Sequence, residues 1–119
     1  QGISIRRIPE KCNPLCDCLI FNFPKPEQAN QFVKLINEKG LGTKNVPDAI
    51  EWHFARYWDH MLDHIGMSKL DLEKSLHISN KIIERSVALP IMVKTTKKDL
   101  ENISLILMKT LKELQRHSL

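Results

Sequence analysis

A short apolar and aromatic run at residues 15–23 places the strongest restriction on the fold; it reads Leu-Cys-Asp-Cys-Leu-Ile-Phe-Asn-Phe. Pro24 and Pro26 follow at once, and proline cannot continue a central β-ladder, so the run predicts a buried strand that ends there. The other periodic segments are mainly helical. Together they predict an α+β domain with a small mixed sheet of three to four strands and helices packed on one face.

The remaining sheet elements follow from turn and breaker residues. Pro26 begins a helix that Gly40 ends, and residues 41–46 predict a second strand. Residues 88–93 predict a third strand, which Pro90 places at an edge or at a bend. Because a helix separates the first two strands, the sheet contains a parallel crossover or a split arrangement.

Two capping boxes mark the starts of the C-terminal helices. Ser68 with Asp71 predicts a helix that reaches about Val87, and Thr96 with Asp99 predicts the start of the last helix. An apolar stripe runs along that last helix. It consists of Leu100, Ile103, Leu107, Leu111 and Leu114.

Composition sets limits on the class of protein. The 119 residues fit one domain, residues 1–119, with 42% hydrophobic and 27% charged residues and a net charge of +4. The basic residues are interspersed with acidic ones, which predicts no nucleic-acid partner, and no apolar run approaches the ~20 residues of a membrane span. Cys12, Cys16 and Cys18 are clustered and odd in number, which favours a reduced, cytoplasmic setting over a disulfide framework.

The segment 47–67 contains both Trp, the only Tyr and three of the five His. No single period organises it, so we predict a loop with a short helix at 58–64. Its aromatic side chains have two open interpretations: they cover the sheet as core, or they form a polar and aromatic pocket wall suited to a sugar ring.

His60 and His64 are four residues apart and would share one face of a helix, with His53 nearby. A zinc site needs further ligands, and the intervening Glu of H-E-x-x-H is absent. These residues support an alternative function, a free-standing ligand-binding, metal-binding or interaction domain that uses His60 and His64. No nucleophile elbow or Gly-rich phosphate loop is present, so the residues predict no self-contained catalysis.

Several motifs, in the same order, resemble the sugar aminotransferases of the DegT/DnrJ/EryC1/StrS family. The strand, the helix and the bend Gly40-Leu41-Gly42-Thr43 resemble that family's helix and G-I-G-T passage. The segment Arg85-Ser86-Val87-Ala88-Leu89-Pro90 is similar to its R-x-x-x-L-P closing motif, and the Thr96 and Asp99 helix start is also similar. The resemblance covers about residues 15–114.

The resemblance implies a fold type I, pyridoxal-phosphate (PLP) enzyme that works as a homodimer. Such enzymes transfer an amino group from glutamate to a keto sugar for lipopolysaccharide or cell-surface polysaccharide synthesis. This chain is similar to their small C-terminal domain. The large domain that would carry the aldimine lysine, PLP and the contacts to both substrates is absent, so we expect no cofactor and no activity in this chain alone. A partner subunit that regulates an intact aminotransferase is a further possibility.

The resemblance also implies substrate-binding residues, because the family's loop after G-I-G-T reaches into the active site. The counterpart of the family's H-Y-x-P-x-H pattern is Trp52-His53-Phe54 with His60, and no catalytic or metal-binding residue is implied. A branch that acts on an eight-carbon keto sugar acid (octulosonate type) is similar in its K-N-x-P-D-A and W-H-F segments; a nucleotide sugar is the other substrate class. The expected substrate-binding residues are Lys44, Asn45, His53, Arg56, Trp58 and His60.

Overall fold

A computed structural model of the chain describes residues 2–13, 17–50 and 54–117, without the side chains of 49, 50 and 117. These ranges contain four strands and five α-helices, which form an α+β domain as predicted. The strands are β1 (Ser4–Ile5), β2 (Cys18–Asn22), β3 (Lys44–Asn45) and β4 (Ser86–Pro90). The helices are α1 (Pro26–Glu38), α2 (Val46–Ile50), α3 (Leu62–Ile65), α4 (Lys69–Ile83) and α5 (Lys97–His117), with 3₁₀ turns at Ala55–Tyr57 and Asp59–Met61.

The sheet has the order β1-β2-β4-β3, and each neighbouring pair is antiparallel. β2 and β3 therefore run in the same direction with β4 between them. This is the split arrangement, one of the two that the sequence left open. β2 is an inner strand, as its apolar sequence predicts.

Helices α1 and α5 cover one face of the sheet. Phe32 of α1 is fully buried, and its ring centroid lies 5.0 Å from that of Phe23 and 6.1 Å from that of Phe21. Alternate residues of a strand point to opposite faces, so Val87 of β4, which is paired with Phe21, faces the same helices. The buried core cluster consists of Phe23, Ala29, Phe32, Ile36, Val87 and Leu114.

The predicted helix ends and starts are largely confirmed. Gly40 has φ +80°, and the Leu41 and Gly40 N–H groups donate to the Ile36 and Asn37 carbonyls, which is a Schellman C-cap. The Ser68 hydroxyl accepts a hydrogen bond from the Asp71 N–H at 3.2 Å. The Thr96 box is reciprocal: the Asp99 N–H donates to Thr96 Oγ1 at 3.2 Å, and the Thr96 N–H donates to Asp99 Oδ2 at 2.8 Å.

Three predicted boundaries are wrong. β3 has two residues rather than six. The loop before it is held by α1, and helix α2 begins directly after it and contains Pro47, which has no N–H to donate to a strand. Helix α4 ends at Ile83, not near Val87, because residues 86–87 pair with β2. The third strand spans 86–90 rather than 88–93, and it lies between β2 and β3 rather than at an edge; Pro90 is its last residue.

The apolar stripe of α5 is confirmed towards its C-terminal end. Leu114 is buried and Leu107 and Leu111 pack against the core, whereas Leu100 is 52% exposed. Thr110 is fully buried in their midst, and its hydroxyl donates to the Ile106 carbonyl at 2.9 Å. A buried threonine is tolerated here because its hydrogen bond is made within the helix.

The domain is less compact than its length suggests. Its radius of gyration is 16.6 Å, against about 13.5 Å expected for a globular domain of this length. Among the described residues of α4, only Leu72 is buried. The apolar core is therefore concentrated between the sheet, α1 and α5.

We expect Phe32→Ala to destabilise the domain by about 3–5 kcal/mol, because the aromatic ring is fully buried beside Phe21 and Phe23 and a cavity would remain. Urea unfolding followed by circular dichroism measures this change. Leu105→Ala on the same layer of helices is the control, since Leu105 is 58% exposed and its truncation should be nearly neutral. Equal effects of the two substitutions would contradict the described core.

A second prediction concerns the cap of α5. The Thr96 hydroxyl and backbone N–H donate to Asp99 Oδ2 at 2.6 and 2.8 Å, and these hydrogen bonds hold the pKa of Asp99 below its ordinary value of 3.8. Because the folded-state pKa is lowered, the stabilisation is present above the unfolded value and is lost as pH falls through the folded one. A ¹³C NMR titration of Asp99 should show a midpoint below 3.8. Thr96→Val should move that midpoint upward, and an unchanged midpoint would contradict the cap.

Candidate functional site

The expected substrate-binding residues lie on two parts of the domain. Lys44 and Asn45 form β3, whereas Arg56, Trp58 and His60 lie in the turns that follow α2. β3 pairs with β4, and the Ala55–Tyr57 turn packs against α4. His53 lies outside the described residues.

A cavity of about 690 Å³ lies beside the ends of β2 and β4 and the loop between α1 and β3. We refer to it as the sheet-end cleft. Its lining atoms are mainly apolar. It is lined by Cys18, Asn37, Gly40, Gly42, Thr43, Lys44, Ala88 and Pro90.

Strand register explains why distant residues meet at the sheet-end cleft. Cys18 is paired with Pro90, and Lys44 is paired with Ala88. Paired residues project to the same side of an antiparallel ladder, so these four side chains share one face of the sheet. That face is the one opposite to α1 and α5.

The loop that bounds the sheet-end cleft is fixed by a side chain of α1. Asn37 Oδ1 accepts the Thr43 N–H at 2.8 Å, and Asn37 Nδ2 donates to the Thr43 carbonyl at 3.1 Å. The Thr43 hydroxyl donates to the Leu41 carbonyl at 3.0 Å, and Thr43 is buried. Both main-chain groups of Thr43 are thus satisfied, which holds the loop in place.

Among the described residues that line the sheet-end cleft, one side chain, Lys44, is cationic. Lys44 is exposed, and none of the ion pairs among the described residues includes it. Partial burial and then the neighbouring Asp17 carboxylate raise the pKa of the Cys18 thiol, so Cys18 adds no charge near neutral pH. The described lining therefore has mainly apolar atoms and one ammonium group, and the Asp17 carboxylate and Arg6 guanidinium, which both act on Cys18, lie outside it.

Asn45 does not line the sheet-end cleft with Lys44, because consecutive strand residues face opposite sides. Its Nδ2 donates to Asn30 Oδ1 on α1 at 2.6 Å. Within the described part of the chain, Asn45 Oδ1 is buried without a hydrogen-bond partner. Asn45 thus faces the helical layer.

Arg56 joins the turns to α4. Its Nη1 donates to Glu84 Oε1 at 3.0 Å and to Asn80 Oδ1, and Asn80 also donates to Glu84. Asn80 and Glu84 are four residues apart, at the end of α4, so both face the turn. Sequence reasoning missed these two residues, for which the i, i+4 spacing near the end of a predicted helix was the signal that the sequence offered.

Trp58, His60 and His64 lie on the surface of the turn segment, and Trp58 is 37% exposed. In residues 2–13, 17–50 and 54–117, no group of three or more His, Cys, Asp or Glu could hold a metal ion. A second, smaller cavity of about 200 Å³ lies between the turns and α4. It is lined by Arg56, Glu73, Leu76, His77 and Asn80.

The sequence matches no protein-family model, and no curated protein matches it. The resemblance to sugar aminotransferases therefore stays a prediction from the motifs. Across the described ranges, no helix has the combined length and apolarity that crossing a membrane requires.

A third prediction tests the role of Arg56. Arg56→Lys should loosen the turns from α4, because an ammonium cannot replace the planar guanidinium between Asn80 and Glu84. Since both charged partners are more than one-third exposed, we expect a loss of only about 1 kcal/mol. Hydrogen exchange measures it as faster exchange in residues 55–65 and 80–84. The control is Lys69→Gln, which removes an ion pair with Asp59 whose two side chains are more than half exposed. Equal protection from exchange in the wild type and in Arg56→Lys would contradict the proposed link between the turns and α4 through Arg56.

Proposed function

We propose that this chain is the substrate-side, C-terminal small domain of a cytoplasmic, homodimeric, PLP-dependent sugar aminotransferase. The enzyme would transfer an amino group from glutamate to a keto sugar, of the nucleotide-sugar or octulosonate class, for lipopolysaccharide or cell-surface polysaccharide synthesis. One observation supports this proposal above others. The two motif segments that carry the resemblance, Gly40–Thr43 and Arg85–Pro90, lie more than forty residues apart in sequence and yet line one cleft through Gly42, Thr43, Ala88 and Pro90.

The proposal assigns the chemistry to the large domain. Transamination needs a lysine held in a dry site, where its amine can form an imine with the cofactor. Every lysine of this chain lies in the described ranges, and each is exposed or half-buried. The residues of this domain would therefore bind and orient the keto sugar, and the large domain would hold PLP.

Charge distinguishes the roles of Lys44 and Arg56 in this proposal. The Arg56 guanidinium is already paired with Glu84 on α4, whereas Lys44 has no acidic partner among the described ion pairs. Lys44 is thus the better partner for the carboxylate of a keto sugar acid. Arg56 would position the turn that presents Trp58 and His60, an aromatic face and a polar group suited to a sugar ring.

In the full-length enzyme, we expect Lys44→Met to raise KM for a keto sugar acid about tenfold while kcat changes little, because the ammonium stabilises bound substrate and not the reacting carbon. Steady-state kinetics with glutamate as donor measures the split. Lys34→Met is the matched control, since Lys34 is an exposed lysine of α1.

The same proposal predicts that the isolated 119-residue chain is inactive. Mixed with PLP, glutamate and keto sugars, it should show neither turnover nor an aldimine absorbance band. Turnover by the isolated chain would overturn the proposal. So would an upstream reading frame that encodes no S-x-x-x-x-K segment, since the family's aldimine lysine lies in such a segment.

A further inference from the structure

The proposed aminotransferase role uses the Lys44 ammonium of the sheet-end cleft but not the cleft's apolar walls. We propose that it is a binding site for an amphipathic monoanion, a carboxylate joined to an aliphatic body, and that this domain binds such a ligand without PLP or sugar. The inference stands on the cleft alone and does not depend on the proposed function.

The size and boundaries of the cleft favour a small molecule. Its volume of about 690 Å³ lies within the roughly 300–1,000 Å³ that is typical of ligand pockets. The bounding loop is fixed by the two Asn37 hydrogen bonds to Thr43, so the wall is formed before a ligand arrives. A preformed wall lowers the conformational cost of binding.

The polar groups of the lining are largely occupied, which argues against a polyhydroxylated ligand. The Asn37 amide bonds the Thr43 main chain at both ends, and the Thr43 hydroxyl bonds the Leu41 carbonyl. A sugar placed here would leave hydroxyl groups without partners, which is costly. Binding of an aliphatic body is instead favoured by the hydrophobic effect, because its surface moves from water to contacts with apolar residues such as Ala88 and Pro90.

The charge of the lining indicates which group the polar end of the ligand carries. Lys44 is the one cationic residue of the described lining, and its ammonium has no acidic partner among the described ion pairs. One carboxylate would neutralise it. Cys18 stays a neutral thiol near neutral pH, and the two charged groups that act on it, the Asp17 carboxylate and the Arg6 guanidinium, are opposite in sign and lie outside the described lining. One positive group beside apolar walls matches one negative group on an apolar body.

Gly42 keeps the cleft open. A Cβ added at Gly42 would have no other atom within 4 Å, and Gly42 does not have the positive φ that disfavours other residues. Because Gly42 also lines the cleft, we expect a larger side chain at this position to occupy cleft space without backbone strain. Gly2 has the same two properties but lies outside the cleft, which makes it a matched control.

Titration calorimetry of the 119-residue chain with three probes tests the ligand class. Decanoate combines the carboxylate with the aliphatic body, decanol has the body alone, and acetate has the carboxylate alone. We expect saturable one-to-one binding of decanoate, at least tenfold weaker binding of decanol, and no detectable heat of binding with acetate. No saturable binding of decanoate, or equal affinity for decanol, would overturn the proposal.

Variants locate the binding. Gly42→Leu should abolish decanoate binding and Gly2→Leu should leave it intact. Lys44→Met should weaken decanoate about tenfold without changing decanol, and Lys34→Met should change neither. Loss of decanoate binding in both glycine variants alike, or full binding in Gly42→Leu, would contradict the location.

The rate at which Cys18 is alkylated reports ligand binding without any substitution at Gly42. This measurement therefore tests the proposal even if the Gly42→Leu variant does not fold. In a Cys12→Ser, Cys16→Ser background, decanoate should slow the reaction of Cys18 with iodoacetamide, because Cys18 lines the cleft. An unchanged rate at saturating decanoate would overturn the proposal.

A second copy of the chain in the cleft would also overturn the proposal. Sedimentation would detect such binding as a dimer that the Gly42→Leu substitution dissociates. These experiments omit PLP and sugar, so their failure is distinct from failure of the aminotransferase proposal.

Discussion

The pairing of β2 with β4 is the interaction on which the rest of this structure depends. Five residue pairs, from Cys18 with Pro90 to Asn22 with Ser86, join segments that are more than sixty residues apart. Because strand residues alternate between faces, this one ladder sends Phe21 and Val87 towards the helices and leaves Cys18 and Pro90 on the other side. The apolar core and the sheet-end cleft are two faces of the same register, and a slip of one residue would exchange them.

Two kinds of interaction stabilise the domain, an apolar core and a network of polar side chains. The sheet, α1 and α5 share a buried aromatic and aliphatic core, whereas α4 buries only Leu72 among its described residues and is tied to the turns by Arg56, Asn80 and Glu84. A polar network that is partly exposed contributes less than apolar burial. The α4 region should therefore open locally at a lower free energy than the sheet. This division also accounts for the extended dimensions of the domain, 51 × 37 × 28 Å.

Local signals in the sequence predicted most of the fold, and long-range contacts account for the errors. Gly40 and the boxes at Ser68 and Thr96 act within one turn of helix, so their residues could be identified directly. The end of α4 could not be identified from local signals, because the helical pattern continues into Ser86 and Val87. These two residues belong to the sheet because they pair with Asn22 and Phe21. β3 is short for a similar reason: a side chain from α1, Asn37, takes both main-chain groups of Thr43.

The candidate site shows why closeness in sequence is a poor guide to closeness in a strand. Lys44 and Asn45 are neighbours in the chain, yet one lines the sheet-end cleft and the other bonds Asn30 on α1. Sequence reasoning could find the charge at Lys44 but not the apolar walls around it, since Cys18 and Pro90 reach that place only through the ladder. Both proposals consequently meet at Lys44 and differ in the body attached to the carboxylate. A keto sugar acid would have to extend from Lys44 towards polar groups outside the cleft, whereas an aliphatic body would extend along Ala88 and Pro90 within it.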